Sequence, residues 1–222
     1  MMKTPNISVI HTSPVTVDVF GRLLRERIRD ARVSNILDDS ILPQLRDNDG
    51  DIAAVMPRWR DYARIARDLG ADVILNACSS IGELCDPVGQ DLGIRIVRVD
   101  ARMAREAVAR GRRVAVVATL ASTLRPTRDL VVETARREAR ETEVTARLVE
   151  GAYATLIAGD PDGHDARVAA ELRAACASAD AVVLAQASMA RVLPRLDDSE
   201  RAKCLVSPPL AVEDVAKAVA VR

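Results

Sequence analysis

The sequence predicts an α/β fold of two similar, doubly wound lobes related by a pseudo-twofold axis. Each lobe is expected to hold a four-stranded parallel sheet, with a cleft between the lobes. Three observations carry this expectation. Apolar runs rich in β-branched residues alternate with helical patterns along the whole chain, which is the signature of βαβ units. The runs are mostly continuous rather than alternating in polarity, as in strands covered on both faces. And one phrase is written twice: Ala71-Asp-Val-Ile-Leu-Asn-Ala-Cys-Ser-Ser80 is echoed by Ala179-Asp-Ala-Val-Val-Leu-Ala-Gln-Ala-Ser188.

Strands are expected at Ile7–Ile10, Val33–Leu37, Val73–Leu75 and Ile94–Val99, and again at Val114–Val117, Val144–Val149, Ala181–Leu184 and Cys204–Val206. Helical patterns fall between them at Val17–Asp30, Ala53–Leu69, Ala101–Arg110, Leu124–Arg140, Asp165–Ala177 and Leu210–Val221. Asp86-Pro87 reads as a helix stop and Gly159-Asp-Pro-Asp-Gly163 as a loop. The two halves keep step: Ile7 maps to Val114 (offset 107), Ala71 to Ala179 (108) and Arg95 to Cys204 (109). A period this long marks a duplicated lobe rather than a solenoid. The last helix corresponds to the one that follows the first lobe's fourth strand, so it is expected to cross back. The first lobe is then residues 1–101 plus 210–222, and the second is 102–209.

Composition narrows the function. The chain has 222 residues, 49% hydrophobic and 29% charged, so it can bury a sizeable core, and with 2% aromatics that core is aliphatic. Thirty-two basic residues balance 32 acidic ones, which argues against a nucleic-acid surface. The Arg-rich stretch from Arg95 to Arg113 is interrupted by Asp100 and Glu106 and reads as a solvated helix face. No run is long enough for a signal peptide or a membrane span. Four irregularly spaced cysteines match neither a disulfide framework nor a zinc site, so the expectation is a cytoplasmic protein with reduced thiols. Asp47-Asn-Asp-Gly-Asp51 begins like a calcium loop, but Arg58 stands at the twelfth position, so a solvated turn is the better reading. No metal is expected. Neither a dinucleotide fingerprint nor a Walker pattern is present.

In open parallel sheets, ligands bind beyond the carboxyl ends of the strands. Thr12, Ser13, Cys78, Ser79 and Ser80 fall there in the first half, and Thr119, Ser122, Thr123, Gln186 and Ser188 in the second. Hydroxyls and helix-start N–H groups suit a small anion such as a carboxylate. A thiol at a helix N-terminus has its thiolate stabilised, so Cys78 is expected to be reactive near neutral pH. The bland alternative is a small buried hydrophobe. His11 ends the first strand; it either orients Cys78 or is a satisfied boundary histidine.

The motifs Asn76-Ala-Cys-Ser-Ser80, Val117-Ala-Thr-Leu-Ala-Ser-Thr123 and Leu184-Ala-Gln-Ala-Ser188 resemble those of the aspartate/glutamate racemase superfamily, which includes hydantoin racemases, maleate isomerases and arylmalonate decarboxylases. The resemblance covers nearly the whole chain. It implies an enzyme without cofactor or metal, in which each half gives one cysteine and the two thiols flank the acidic carbon of a small carboxylic or amino acid. It also implies that Cys78 is catalytic and that Ser79, Ser80, Thr119 and Thr123 hold the substrate carboxylate.

The departure is at Gln186, where the second cysteine of the family would stand. An amide donates and accepts hydrogen bonds but does not exchange protons at useful rates near neutral pH. Neither Cys85, expected further down the helix after Cys78, nor Cys176, which reads as core, replaces it. Cys204 lies on a strand that can approach the site. The sequence thus leaves three readings: a one-thiol racemase or isomerase, a one-cysteine decarboxylase or lyase, and a two-lobed carboxylate-binding protein without turnover. The expected partner is a small carboxylate; homo-oligomerisation stays open.

Overall fold

The computed structural model describes residues 4–220. It divides into two compact units, one reaching to Asp100 and resuming at Pro208, the other Ala101–Ser207. In the first unit, β1 (Asn6–His11), α1 (Val15–Arg27), β2 (Arg32–Leu37), α2 (Ile41–Asp47), a 3-10 turn (Ile52–Ala54) and α3 (Met56–Asp68) come in order. They are followed by β3 (Val73–Asn76), a 3-10 segment (Ser79–Leu84), α4 (Cys85–Leu92) and β4 (Ile96–Arg98). The sheet is wholly parallel, in the order β2-β1-β3-β4.

Its continuous apolar runs are explained by the two layers they serve. Ile10, Ile74 and Ile96 face a layer with Ile41, Trp59 and Val88, whereas Val9, Val73, Leu75 and Val97 face Phe20 and Leu24. Successive strand residues point to opposite faces, so both parities must be apolar. Burying each such side chain contributes about 1.5–3 kcal/mol. Only the edge strand β2 departs, with no fully buried residue.

The second unit repeats the plan: α5 (Ala101–Arg110), β5 (Arg113–Ala118), α6 (Ala121–Arg137), β6 (Glu143–Leu148), α7 (Ala152–Ile157), α8 (Pro161–Ser178), β7 (Ala181–Leu184), a 3-10 segment (Ala187–Arg195), α9 (Asp198–Lys203) and β8 (Cys204–Val206). Its parallel sheet has the order β6-β5-β7-β8, the same topology as the first. The final helix, α10 (Ser207–Ala220), adds Ala211, Val212 and Val215 to the layer of the first unit that holds Phe20 and Val73. The expected Val221 end of this helix lies outside the described residues. Among the described residues, no helix is long and apolar enough to cross a membrane.

Register refines the duplication. Ile74 pairs with Ile96 and Val182 with Cys204, so 182 − 74 and 204 − 96 both give 108. Cys204 therefore corresponds to Ile96 and not to Arg95. The repeated Ala-Asp has a mechanical role in both units. Asp72 Oδ2 accepts from the Asn6 N–H at 2.7 Å, at the start of β1. Asp180 Oδ2 accepts from the N–H groups of Arg112 and Arg113 at 3.0 and 2.9 Å, at the start of β5. Each aspartate ties the beginning of a unit's third strand to that of its first.

Several sequence expectations need correction. Asp86-Pro87 does not stop a helix: both residues lie in the first turn of α4, where a proline's missing N–H costs nothing. The stretch from Gly159 is a loop only up to Asp160, whose side chain caps α8 by accepting from the Gly163 N–H. α2, α7 and α9 have six or seven residues each, too short to carry a readable period. The Arg-rich stretch is not uniformly solvated either. Arg98 is largely buried and paired at 2.6 Å with the fully buried Asp100.

The Asp180 clamp can be tested by pH. The Arg113 side chain and backbone hold this carboxyl down from 3.8 to about 2. A depressed carboxyl stabilises the fold above its unfolded value and loses that contribution as pH falls through its folded value. Asp180→Asn is therefore expected to lower the melting temperature at neutral pH. The gap to wild type should close between about pH 4 and pH 2; a gap independent of pH there would remove the carboxylate from the account.

Candidate active site

In the first unit, β3 delivers its last residues to the carboxyl edge of the sheet. The Ala77 N–H still bonds the Ile10 carbonyl at 2.9 Å, and Cys78 follows in an extended conformation (φ −136°, ψ 116°) as the cap residue of the 3-10 segment. Asn76 is fully buried and its Nδ2 donates to the Cys78 carbonyl at 2.9 Å, which pins the turn. The segment also needs Gly82. A Cβ there would lie 2.3 Å from Arg98 Nε, so only glycine lets the Arg98–Asp100 pair lie against it.

The Cys78 sulfur belongs to the core layer with Ile10, Ile74 and Ile81, and the residue is 6% exposed. Burial pushes its thiol above the ordinary value. The Thr12 hydroxyl, the N–H groups of Ser80 and Ile81 and the Ser80 hydroxyl pull the other way and do not offset it. Neither amide makes a regular cap hydrogen bond to the sulfur. The expectation of a reactive thiolate near neutral pH is thus corrected: the helix-start donors are present, but desolvation is the larger effect, and Cys78 rests as a thiol.

Thr12, Ser79 and Ser80 are buried around it, and Ser13 is half-buried, with its carbonyl accepting from Thr16. His11 does not orient Cys78. Its Nδ1 bonds Thr16 Oγ1 at 2.7 Å and its Nε2 bonds Asn35 Oδ1 at 2.9 Å, so both ring nitrogens are engaged elsewhere. Burial lowers its pKa, consistent with a neutral, satisfied boundary histidine.

In the second unit, Gln186 occupies the place of Cys78, capping the 3-10 segment Ala187–Arg195 in the same extended conformation (φ −124°, ψ 134°). Its Oε1 accepts from the Thr119 N–H at 2.6 Å and from the Thr119 hydroxyl at 3.0 Å. Thr119, expected to hold the substrate carboxylate, has both its donors engaged with Gln186. Ser122 is half-buried and Thr123 buried in the first turn of α6, while Ser188 is exposed. Cys204 stands at the start of β8, 3.9 Å from the Cys176 sulfur, at the amino-terminal edge of the sheet and away from the strand ends. Cys85 opens α4 near Arg98 and Asp100, and burial drives its thiol far up.

Sequence reasoning passed over Asn76 as a functional residue, although an amide ending the apolar run Val73-Ile-Leu was the signal. It also missed a buried group under the second 3-10 segment: Asp165 Oδ1 bonds His164 Nδ1 at 2.8 Å, and Oδ2 accepts from Arg191 Nε at 3.1 Å. This group ties the segment that follows Gln186 to α8. Among the described residues, no three His, Cys, Asp or Glu side chains are placed to hold a metal ion.

The resting state of Cys78 is directly measurable. Its alkylation by iodoacetamide is expected to be slow at pH 7 and to rise steeply above the ordinary thiol range. Thr12→Val should move that profile further up, because it removes a donor to the thiolate. A profile already at its plateau by pH 7 would show that desolvation does not dominate.

No protein-family profile matches the chain. No curated protein sequence matches it either. Solved structures do. A glutamate racemase from Bacillus anthracis is 12% identical, with a TM-score of 0.75 over 96% of this chain and 80% of that one. Allantoin racemase from Klebsiella pneumoniae is 17% identical, with a TM-score of 0.65 over 98% and 89%. Unliganded arylmalonate decarboxylase is 16% identical, with a TM-score of 0.60 over 98% and 94%. The chain shares its two-unit parallel α/β fold with these two racemases and with arylmalonate decarboxylase.

Proposed function

We propose that the chain is a cofactor-independent enzyme of the Asp/Glu racemase type that moves one proton at a carbon of a small carboxylic acid, with Cys78 as its only acid/base. The observation that carries this reading is the Cys78 sulfur held at a strand end among Thr12, Ser80 and Ile81. A neutral thiol in that setting is a proton donor. When it protonates a carbanion or enolate, the S–H bond breaks, a C–H bond forms, and the donors receive the developing thiolate. Ser79 and Ser80, with Ser13, are the hydroxyls beside Cys78 assigned to the carboxylate. In the racemase or isomerase form of the reaction, the Cys78 thiol must first lose its proton to solvent; the thiolate then takes the proton from carbon and returns it to the same carbanion.

A one-cysteine decarboxylase is the second reading, and the raised Cys78 thiol favours it. There the carbon–carbon bond breaks, carbon dioxide leaves, and the resting thiol supplies the proton to the enolate without a prior deprotonation. Addition of a thiolate to a double bond requires the opposite resting state and fits less well. A binding protein without turnover remains the competing class, and Cys78→Ser separates it: an enzyme loses turnover, a binder loses nothing.

Gln186 sets the stereochemical expectation. Lacking a second acid/base, the wild-type chain should not racemise aspartate or glutamate efficiently, since one positioned acid/base is worth ~10²–10⁴-fold in rate. Gln186→Cys should create or raise racemisation, read as exchange of the α-deuterium alongside optical rotation. Cys78→Ser should abolish activity in both backgrounds. Rapid racemisation by the unmodified chain would show that another residue serves the second face.

A further inference from the structure

Gln186 is held in one orientation, and that orientation has a chemical meaning. The Thr119 backbone N–H can only donate, so the atom 2.6 Å from it must be the amide oxygen. The Thr119 hydroxyl closes on the same oxygen at 3.0 Å. Both donors of Thr119 are engaged and the acceptor of Gln186 is occupied. What remains is the Nε2 amide group, with two N–H donors on the side turned away from Thr119. Among the described residues nothing accepts from it, and the side chain is only half-buried. The carbonyl end of Gln186 is structural and its nitrogen end is free to meet a ligand.

We infer that Gln186 is a specificity-determining hydrogen-bond donor, aimed by Thr119, which selects a ligand that places a carboxylate or carbonyl oxygen at the end of β7 and rejects one that places an ammonium there. This deepens the reading of the chain as an enzyme of small carboxylic acids and rests on it for the class of ligand. Thr119 is a positioning residue. Without its hydroxyl, one of the two contacts that fix the amide is lost. A glutamate at position 186 would still give Thr119 an oxygen to bond, but it would present a second, negatively charged oxygen where the NH₂ now stands.

The test is malonate binding by calorimetry at pH 7. Gln186→Glu is expected to weaken it by about tenfold or more, since a hydrogen bond to a charged group is lost and a like charge is added. The ratio of the two affinities, both taken at the same pH, should narrow as the pH falls through the carboxyl range, because a protonated glutamate donates again. A merely structural role would not give that pH dependence. Thr119→Val is expected to weaken binding less, and Thr119→Ser to retain wild-type affinity. Failure of the wild type to bind malonate would overturn the inference. So would a Gln186→Glu variant that binds as tightly as wild type, or a ratio that does not change with pH. Cys78→Ser separates the two readings: if it leaves turnover intact, the one-thiol enzyme fails while the role of Gln186 is still decided by malonate.

Discussion

A thiol closed into a core layer loses the water that would solvate its anion, and the polar groups around Cys78 do not restore it. Thr12, Ser80 and Ile81 all face the sulfur, and by themselves they would favour the thiolate. Desolvation still prevails, because a single anion in a low-dielectric layer needs more than a few partial charges. The chemistry proposed for Cys78 follows from that balance. A site built this way holds its proton until a developing negative charge on a substrate makes the transfer favourable. The same donors then stabilise the thiolate that is left, at no cost in reorganisation.

The position of that sulfur is inherited from the sheet. A parallel strand ends where the pairing stops, and here the Ala77 N–H makes the last bond to Ile10 before the chain turns into a 3-10 segment. The turn is over-determined. Asn76 fastens the Cys78 carbonyl, and Gly82 leaves room for the Arg98–Asp100 pair beneath. At the other edge of each sheet, Asp72 and Asp180 set the register of the first and third strands. The repeated Ala-Asp and the divergent Cys/Gln are thus opposite ends of one strand. The start is kept in both units because it serves the fold, and the end differs in what it presents, a thiol in one unit and an amide in the other.

That division also explains what could be read from sequence. The strands, their order and the duplicated plan were legible because both sheet faces are covered and the apolar runs are unbroken. Offsets drifted by one residue at Arg95 because β4 has only three residues, and a short strand carries little register information. The strand-end residues were legible by position, but their states were not. Nothing in Asn-Ala-Cys-Ser-Ser reveals that the sulfur turns inward against Ile81. Likewise, nothing near His11 reveals that Thr16 and Asn35 take both its nitrogens. Thr119 looked like an anion donor because threonine usually is one at a helix start. Only the contact with Gln186, sixty-seven residues away, reassigns it.

That contact also limits how far the two units are interchangeable. Thr12 and Thr119 are equivalent by the 107-residue offset, and each addresses the residue two positions beyond its unit's third strand. In the first unit that residue is a thiol whose protonation the threonine tunes. In the second it is an amide whose oxygen satisfies a nearly buried backbone N–H. Replacing Gln186 by a cysteine would leave the Thr119 N–H without its oxygen. A buried donor left unpaired costs about 1–3 kcal/mol. The glutamine therefore has a structural role of its own. It is anchored to the sheet through Thr119, and a chain with a cysteine at position 186 would have to find another partner for that N–H, a water molecule or a shift of the turn after β5.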